Sequence, residues 1–334
     1  MRVLVTGAAG FVGGHLLQRL LAEQRDEVFA GVRNAAEERL VRERNGQLCV
    51  VPADLTDAGQ VADMIRAVRP EGIIHLAAQS SVAQSFEEPE ETMRVNVGGT
   101  AHLLEAVVDA GLRPRILLIG SADQYGNVPK DRQPISEQEP LVPQSPYGES
   151  KVLQEQLAAK YRREYDLDCV IVRAGPHTGP YQSERFVIAD WCAQMFRMKE
   201  EYREHTLSVG NLRVVRDITD VRDVVSAYCK LLHAGRLCDV YNVGTGKGIC
   251  LEEVPKLIAS CAGINDLRVV VDPKRCRPAD IECLIVDGSR LRRDTGWEPK
   301  YTFRQTVWDM LEHLALKRHV SYDKIKYQCE EDKR

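Results

Sequence analysis

The first half of the chain alternates two kinds of segment. Short β-branched or apolar runs occupy Arg2–Thr6, Glu27–Val32, Leu48–Val51, Gly72–Leu76, Arg115–Ile119 and Cys169–Val172. Between them, residues 11–23, 57–69, 92–110 and 146–165 carry apolar side chains at helical spacing. The short runs are continuously apolar rather than alternating, as strands buried on both faces are. Strand and helix in alternation predict an α/β fold, a doubly wound parallel sheet with helices on both sides.

Beyond Arg173 the pattern changes. Residues 174–185, with glycines, prolines and polar side chains, read as a long loop. The spacing then predicts a helix near 186–203, a strand at 206–209 and a turn at Gly210-Asn211. A helix near 251–261, a strand at 267–271, a proline-rich loop at 272–280 and a last helix near 303–315 follow.

Composition narrows the class. Among 334 residues, 45 Lys and Arg stand against 49 Asp and Glu, a formal charge of −4. That balance argues against a nucleic acid or an anionic membrane surface as partner. No apolar run approaches the roughly 18–20 residues that cross a bilayer. The run after Met1 is too short for the core of a signal peptide, so a cytoplasmic protein is expected. The ten cysteines are scattered without a C-x-x-C pair, which suits reduced thiols and predicts no metal site.

Gly7-Ala8-Ala9-Gly10-Phe11-Val12-Gly13 ends the first strand and opens the first helix. Glycines there allow a tight turn and let the backbone approach a pyrophosphate at the helix N-terminus. A dinucleotide is therefore expected on Gly7, Gly10, Phe11, Val12 and Gly13. At the tip of the second strand a carboxylate would take the ribose 2′-hydroxyl of NAD, and an arginine a 2′-phosphate. Phe29-Ala30-Gly31-Val32-Arg33-Asn34 offers Arg33, so NADP(H) is expected over NAD(H). After the third strand, the carboxylate of Asp54, beside Leu55, suits an adenine amine. After the fourth, Ala77-Ala78-Gln79 lets a cofactor pass close to the backbone.

Tyr147-Gly148-Glu149-Ser150-Lys151 starts a predicted helix, and a spacing of four puts Tyr147 and Lys151 on one face. An adjacent ammonium lowers a phenol's pKa, which suits proton exchange near neutrality. Ser121 ends the fifth strand at the sheet's carboxyl edge, where a hydroxyl can bind a substrate oxygen.

Together these residues resemble the extended short-chain dehydrogenase/reductase family that acts on nucleotide sugars, the NAD-dependent epimerases and dehydratases. The likeness runs from Val3 to about Leu314 and includes Tyr125-Gly126 and Arg216-Asp217-Ile218-Thr219-Asp220-Val221. Within the family it is similar to the GDP-4-keto-6-deoxy-D-mannose reductases. His177-Thr178-Gly179-Pro180, Val209-Gly210-Asn211-Leu212, Tyr241-Asn242-Val243-Gly244 and Arg277-Pro278-Ala279-Asp280 carry that likeness. The resemblance implies a Rossmann domain over 1–173 with a return segment near 214–244. It implies a smaller substrate domain over 174–213 and 245–316, followed by a charged tail over 317–334. It also implies a homodimer through the helices at 92–110 and 146–165.

By the same resemblance, Tyr147 protonates the C4 oxygen of a GDP-linked 4-keto-6-deoxy sugar while NADPH supplies hydride to C4. Lys151 would hold the nicotinamide ribose, Ser121 the same oxygen, and His177, Asn211, Arg216 and Arg277 the nucleotide sugar. Two departures mark this chain. Pro176 stands where the family usually has an asparagine, and Ala174-Gly175 where it has Pro-Phe. Asp123, two residues before Tyr125, occupies the place of a dehydratase's glutamate. The alternatives are thus a 4,6-dehydratase or epimerase using Asp123 as acid and base, or a catalytically silent dinucleotide-bound scaffold. The intact Ser121, Tyr147 and Lys151 set argues against the last.

Overall fold

The computed structural model describes residues 1–46, 48–201, 204–234, 239–276 and 280–318. Its central sheet is built from β1 (Arg2–Thr6), β2 (Glu27–Val32), β3 (Cys49–Pro52), β4 (Gly72–His75), β5 (Arg115–Ser121), β6 (Asp168–Ala174) and a seventh strand, Val240–Val243. The order runs seventh, β6, β5, β4, β1, β2, β3, and every pairing is parallel. The chain winds outward from β1 to β3 and then crosses back to β4. The crevice beyond the carboxyl ends of β1 and β4 is where such sheets take a ligand.

Successive strand residues point to opposite faces, and here both faces are covered. Val3, Val5, Ile74 and Leu117 pack against Leu16, Leu20, Val224 and Leu231 of the Phe11–Glu23 and Val221–Ala234 helices. Leu4, Ile73, Ile116 and Leu118 face the other way, onto the Ala58–Val68, Gly99–Asp109 and Pro146–Tyr165 helices. Burial on both sides is why these strands read as unbroken apolar runs.

A third apolar body gathers Trp191, Phe196, Leu207, Val209, Ile258, Met310 and Leu311. It joins the Val187–Glu200, Val254–Ala262 and Phe303–Lys317 helices to a parallel pair of strands, Thr206–Val209 and Arg268–Val271. Val269, Val270 and Val271 are exposed, and that strand's outer edge meets no other strand among the described residues.

The structure departs from the sequence pattern in several places. Residues 92–110 are not one helix: Pro89–Met93 runs into a π-helical turn, Arg94–Gly98, before Gly99–Asp109. The wider turn sits where Asn96 is drawn inward, its amide spanning the Gln79 backbone and the Ser150 hydroxyl. The Ala35–Asn45 helix buries only Val41, so it carries no apolar stripe to detect. The Val221–Ala234 helix, with Val221, Val224, Val225, Tyr228, Leu231 and Leu232 buried, is not among the elements expected from the spacing. Of the expected tail, residues 319–334 lie outside the described residues.

Candidate functional site

Two glycines of the first turn, Gly7 and Gly13, answer a steric demand. Gly7 has φ +68°, and a Cβ there would stand 2.8 Å from the Ala77 nitrogen. A Cβ on Gly13 would stand 2.4 Å from the Gly7 carbonyl oxygen, so the helix can close onto the turn only without a side chain. Gly10 is exposed, and only the Gly7 carbonyl lies near its Cβ position, at 3.2 Å. The helix it opens has no acidic residue in its first turn and no side-chain cap. The first amide groups therefore have no side-chain cap, and the turn's polarity fits a pyrophosphate. Val12 packs into the core behind the turn, and Phe11 stacks on His177 with ring centroids 6.3 Å apart.

The strand tips frame the same crevice. Arg33, at the end of β2, is largely exposed and pairs with Glu37 at 3.2 Å. Asn34 caps the following helix through its side-chain oxygen, accepting from the Ala36 and Glu37 amides. Asp54 accepts from the backbone and hydroxyl of Thr56, which holds its carboxyl below the usual carboxylate range. The Leu55 carbonyl faces a ring nitrogen of His102. Ala77 and Ala78 are half-buried at the end of β4. Gln79 is absorbed in the fold, bonded to Asn96, Thr92 and Ser81.

Tyr147 and Lys151 share one helix face as their spacing predicts, and Ser121 and Asp123 lie beside Tyr147. The Pro146–Tyr165 helix is capped by the Ser145 hydroxyl, which accepts from the Gly148 amide at 3.1 Å. Its first turns bury Tyr147 and Lys151 against the end of β5. The Ser121 hydroxyl donates to Asp123 at 3.0 Å and hydrogen-bonds Tyr147. Lys151 donates to the Ile119 carbonyl at 2.9 Å, and burial pulls its pKa down to about 7. The Tyr147 phenol departs from the direction its spacing suggests. Burial pushes its pKa up, the Asp123 charge adds to that, and only the Ser121 hydrogen bond opposes them.

Under these residues lies a buried polar network with no motif in the sequence. Thr100 donates its hydroxyl proton to the Asn96 carbonyl, so His75 Nε2 must donate to Thr100 at 3.0 Å. His75 Nδ1 then accepts from Thr6 at 2.8 Å, a neutral ring satisfied on both sides. Burial and the Lys151 charge hold the His75 pKa down to about 3. Gln154 donates to the Asn96 carbonyl and to Thr100, tying the catalytic helix to the π-helical turn. The one sequence signal was spacing: Gln154 lies seven residues after Tyr147, on its face of the helix.

The second half supplies the opposite wall. His177 donates from Nδ1 to the Gly175 carbonyl at 2.9 Å, and the Pro176 carbonyl accepts from Thr219 at 2.9 Å. Arg216 lies half-buried, next to Asp217, whose carboxylate is wholly buried and accepts from Thr245 and Gly246. Asn211 lies at the surface, with its amide on Asp280 at 3.1 Å. Arg277 lies outside the described residues. Among the described residues no group of three His, Cys, Asp or Glu side chains could hold a metal ion, and no helix is long and apolar enough to cross a membrane.

Comparison with known proteins agrees with this geometry. A family model described as GDP-mannose 4,6 dehydratase matches residues 4–310. The chain is 34% identical to the GDP-6-deoxy-D-mannose reductase of Pseudomonas aeruginosa over 306 residues, 92% of this chain and 94% of the relative. The solved structure of RMD from Pseudomonas aeruginosa complexed with NADPH superposes with a TM-score of 0.82 at 32% identity, covering 95% of this chain and all of that one. The UDP-glucose 4-epimerase of Thermus thermophilus, solved in complex with NAD, gives a TM-score of 0.83 at 32% identity, over 94% of this chain and 98% of the other.

Proposed function

The chain belongs to the GDP-mannose 4,6 dehydratase family of NAD(P)-dependent nucleotide-sugar enzymes, and from that membership we propose that it reduces the 4-keto group of a GDP-linked 4-keto-6-deoxy-hexose with NADPH. The observation that carries the reading is the state of Asp123. A dehydratase's acid and base at this place is a glutamate, whereas Asp123 is one methylene shorter and accepts from the Ser121 hydroxyl within its own turn. The likeness to a GDP-6-deoxy-D-mannose reductase supports the same choice.

The glycine cradle and the small Ala77 and Ala78 fit a dinucleotide, which when bound supplies hydride to the substrate carbon. Tyr147 then gives its phenolic proton to the carbonyl oxygen, and the Ser121 hydroxyl turns from Asp123 to donate to that oxygen as it gains charge. Lys151 holds positive charge beside the resulting phenolate, 5.8 Å from the ring centre. Arg33 favours NADPH, since a 2′-phosphate would displace Glu37 from a cation that solvent already reaches. Arg216 and Arg277 would meet the diphosphate and His177 the sugar side of the crevice. Residues 174–213 and 245–316 form the substrate side, and exposed Phe86 and Leu153 mark the dimer face in this reading.

The test is absorbance at the reduced-nicotinamide band with purified protein, NADPH and GDP-4-keto-6-deoxymannose. One NADPH consumed per sugar, abolished in Tyr147→Phe, is the expected result. Turnover of a 4-hydroxy nucleotide sugar without added cofactor, and no NADPH consumption, would overturn it in favour of a dehydratase or epimerase.

A further inference from the structure

A largely buried chain of polar side chains joins the two halves of the catalytic set. Ser121 and Asp123 sit on the turn after β5, and Tyr147 and Lys151 on the Pro146–Tyr165 helix. Glu155 lies one helical turn beyond Lys151 and two beyond Tyr147, on the same face. Its carboxylate accepts from Gln124 Nε2 at 2.9 Å, and Gln124 Oε1 in turn accepts the Ser121 amide proton at 2.9 Å. Gly120 makes room for this: a Cβ there would stand 2.4 Å from Gln124 Oε1.

Arg173 of β6 grips Glu155 from the other side, with Nε at 3.0 Å and Nη2 at 2.5 Å. Its Nη1 donates to the Tyr125 hydroxyl at 3.0 Å, and that hydroxyl donates to Asn242 at 2.7 Å. Arg173 is 5% exposed and Gln124 wholly buried, while Glu155 is partly exposed. A buried ion pair adds little net stability, because desolvation offsets most of its attraction. A fully satisfied buried network instead fixes geometry.

We propose that Glu155, anchored by Arg173, is a positioning residue that sets the spacing of the Ser121 and Tyr147 hydroxyls through Gln124. The inference deepens the reductase reading and rests on it for its kinetic readout. A near-attack arrangement loses rate steeply with small displacements, so the link governs turnover rather than binding.

Gln124→Met keeps the volume, removes both hydrogen bonds and leaves Glu155 on Arg173. Its kcat is expected to fall on the order of 10–100-fold, with KM for NADPH within about twofold of the parent. The ¹³Cζ resonance of Tyr147, assigned by its absence in Tyr147→Phe, is expected to move as the Ser121 hydrogen bond is lost. A second pair of variants guards against a folding failure. Gln124→Glu sets two carboxylates face to face, and adding Glu155→Gln exchanges donor and acceptor and restores turnover above the single variant. Unchanged kcat, or a fall in kcat with the resonance unmoved, overturns the proposal, as does a double variant no better than Gln124→Glu. A parent protein that consumes no NADPH sinks the reductase reading alone, and the resonance then decides the positioning role.

Discussion

The Lys151 ammonium is held by the Ile119 carbonyl, 2.9 Å away, at the floor of the candidate site. A buried cation so placed has a cost that varies with pH. Its pKa falls from 10.5 to about 7 on folding. Between those values the unfolded chain keeps a proton that the folded chain has released, so stability rises with pH across that window. Below about 7 both states are charged and the full cost remains. Lys151→Met is therefore expected to melt higher near neutral pH and to lose the rise on the alkaline side, while turnover collapses. Calorimetry across the window checks this, and a parent-like pH profile in the variant would refute it.

His75 bends the acid limb in the opposite sense. Its folded pKa of about 3 lies below the ordinary 6.5, so the neutral ring stabilises the fold above 6.5 and that stability drains away as pH falls toward 3. His75→Gln removes the titration. The slope of unfolding free energy against pH in that interval should drop by about one proton. Urea titrations at several acidic pH values measure it.

Tyr147→Phe keeps the ring and its burial, and removes the hydroxyl that carries the proton. Turnover should fall by roughly 10²–10⁴-fold, the share a positioned acid contributes. NADPH binding, followed by fluorescence, should stay near the parent's. A variant with parent-like turnover would remove Tyr147 from the acid's role.

Arg33→Ser tests the choice of cofactor without touching the core. Losing one charge-assisted contact costs roughly 1.5–3 kcal/mol, so KM for NADPH should rise on the order of 10–100-fold. KM for NADH should hardly move. Equal losses for both cofactors would show that Arg33 does not read the 2′-phosphate.

Much of the fold was legible because its constraints are local. β1 and β2 have the bounds their apolar runs predict, and Gly7, Gly10 and Gly13 mark the turn because backbone closeness forbids side chains at two of them. Tyr147 and Lys151 were legible from a single helical turn. Glu155, Gln124 and Arg173 were not, since their bonds span 31 and 18 residues and exist only once β5, β6 and the helix are packed. The direction of the Tyr147 pKa was also hidden. Spacing reports which charge is near, but not how much water has been removed, and here desolvation outweighs the neighbour.

The exposed edge at Val269, Val270 and Val271 bears on handling rather than catalysis. An edge strand with three β-branched apolar side chains in contact with water is a template for pairing with another chain. Crowded expression and slow refolding leave that seam open to such pairing. Val270→Lys would act as a gatekeeper there, far from the crevice, and should turn a sticky preparation into a well-behaved one.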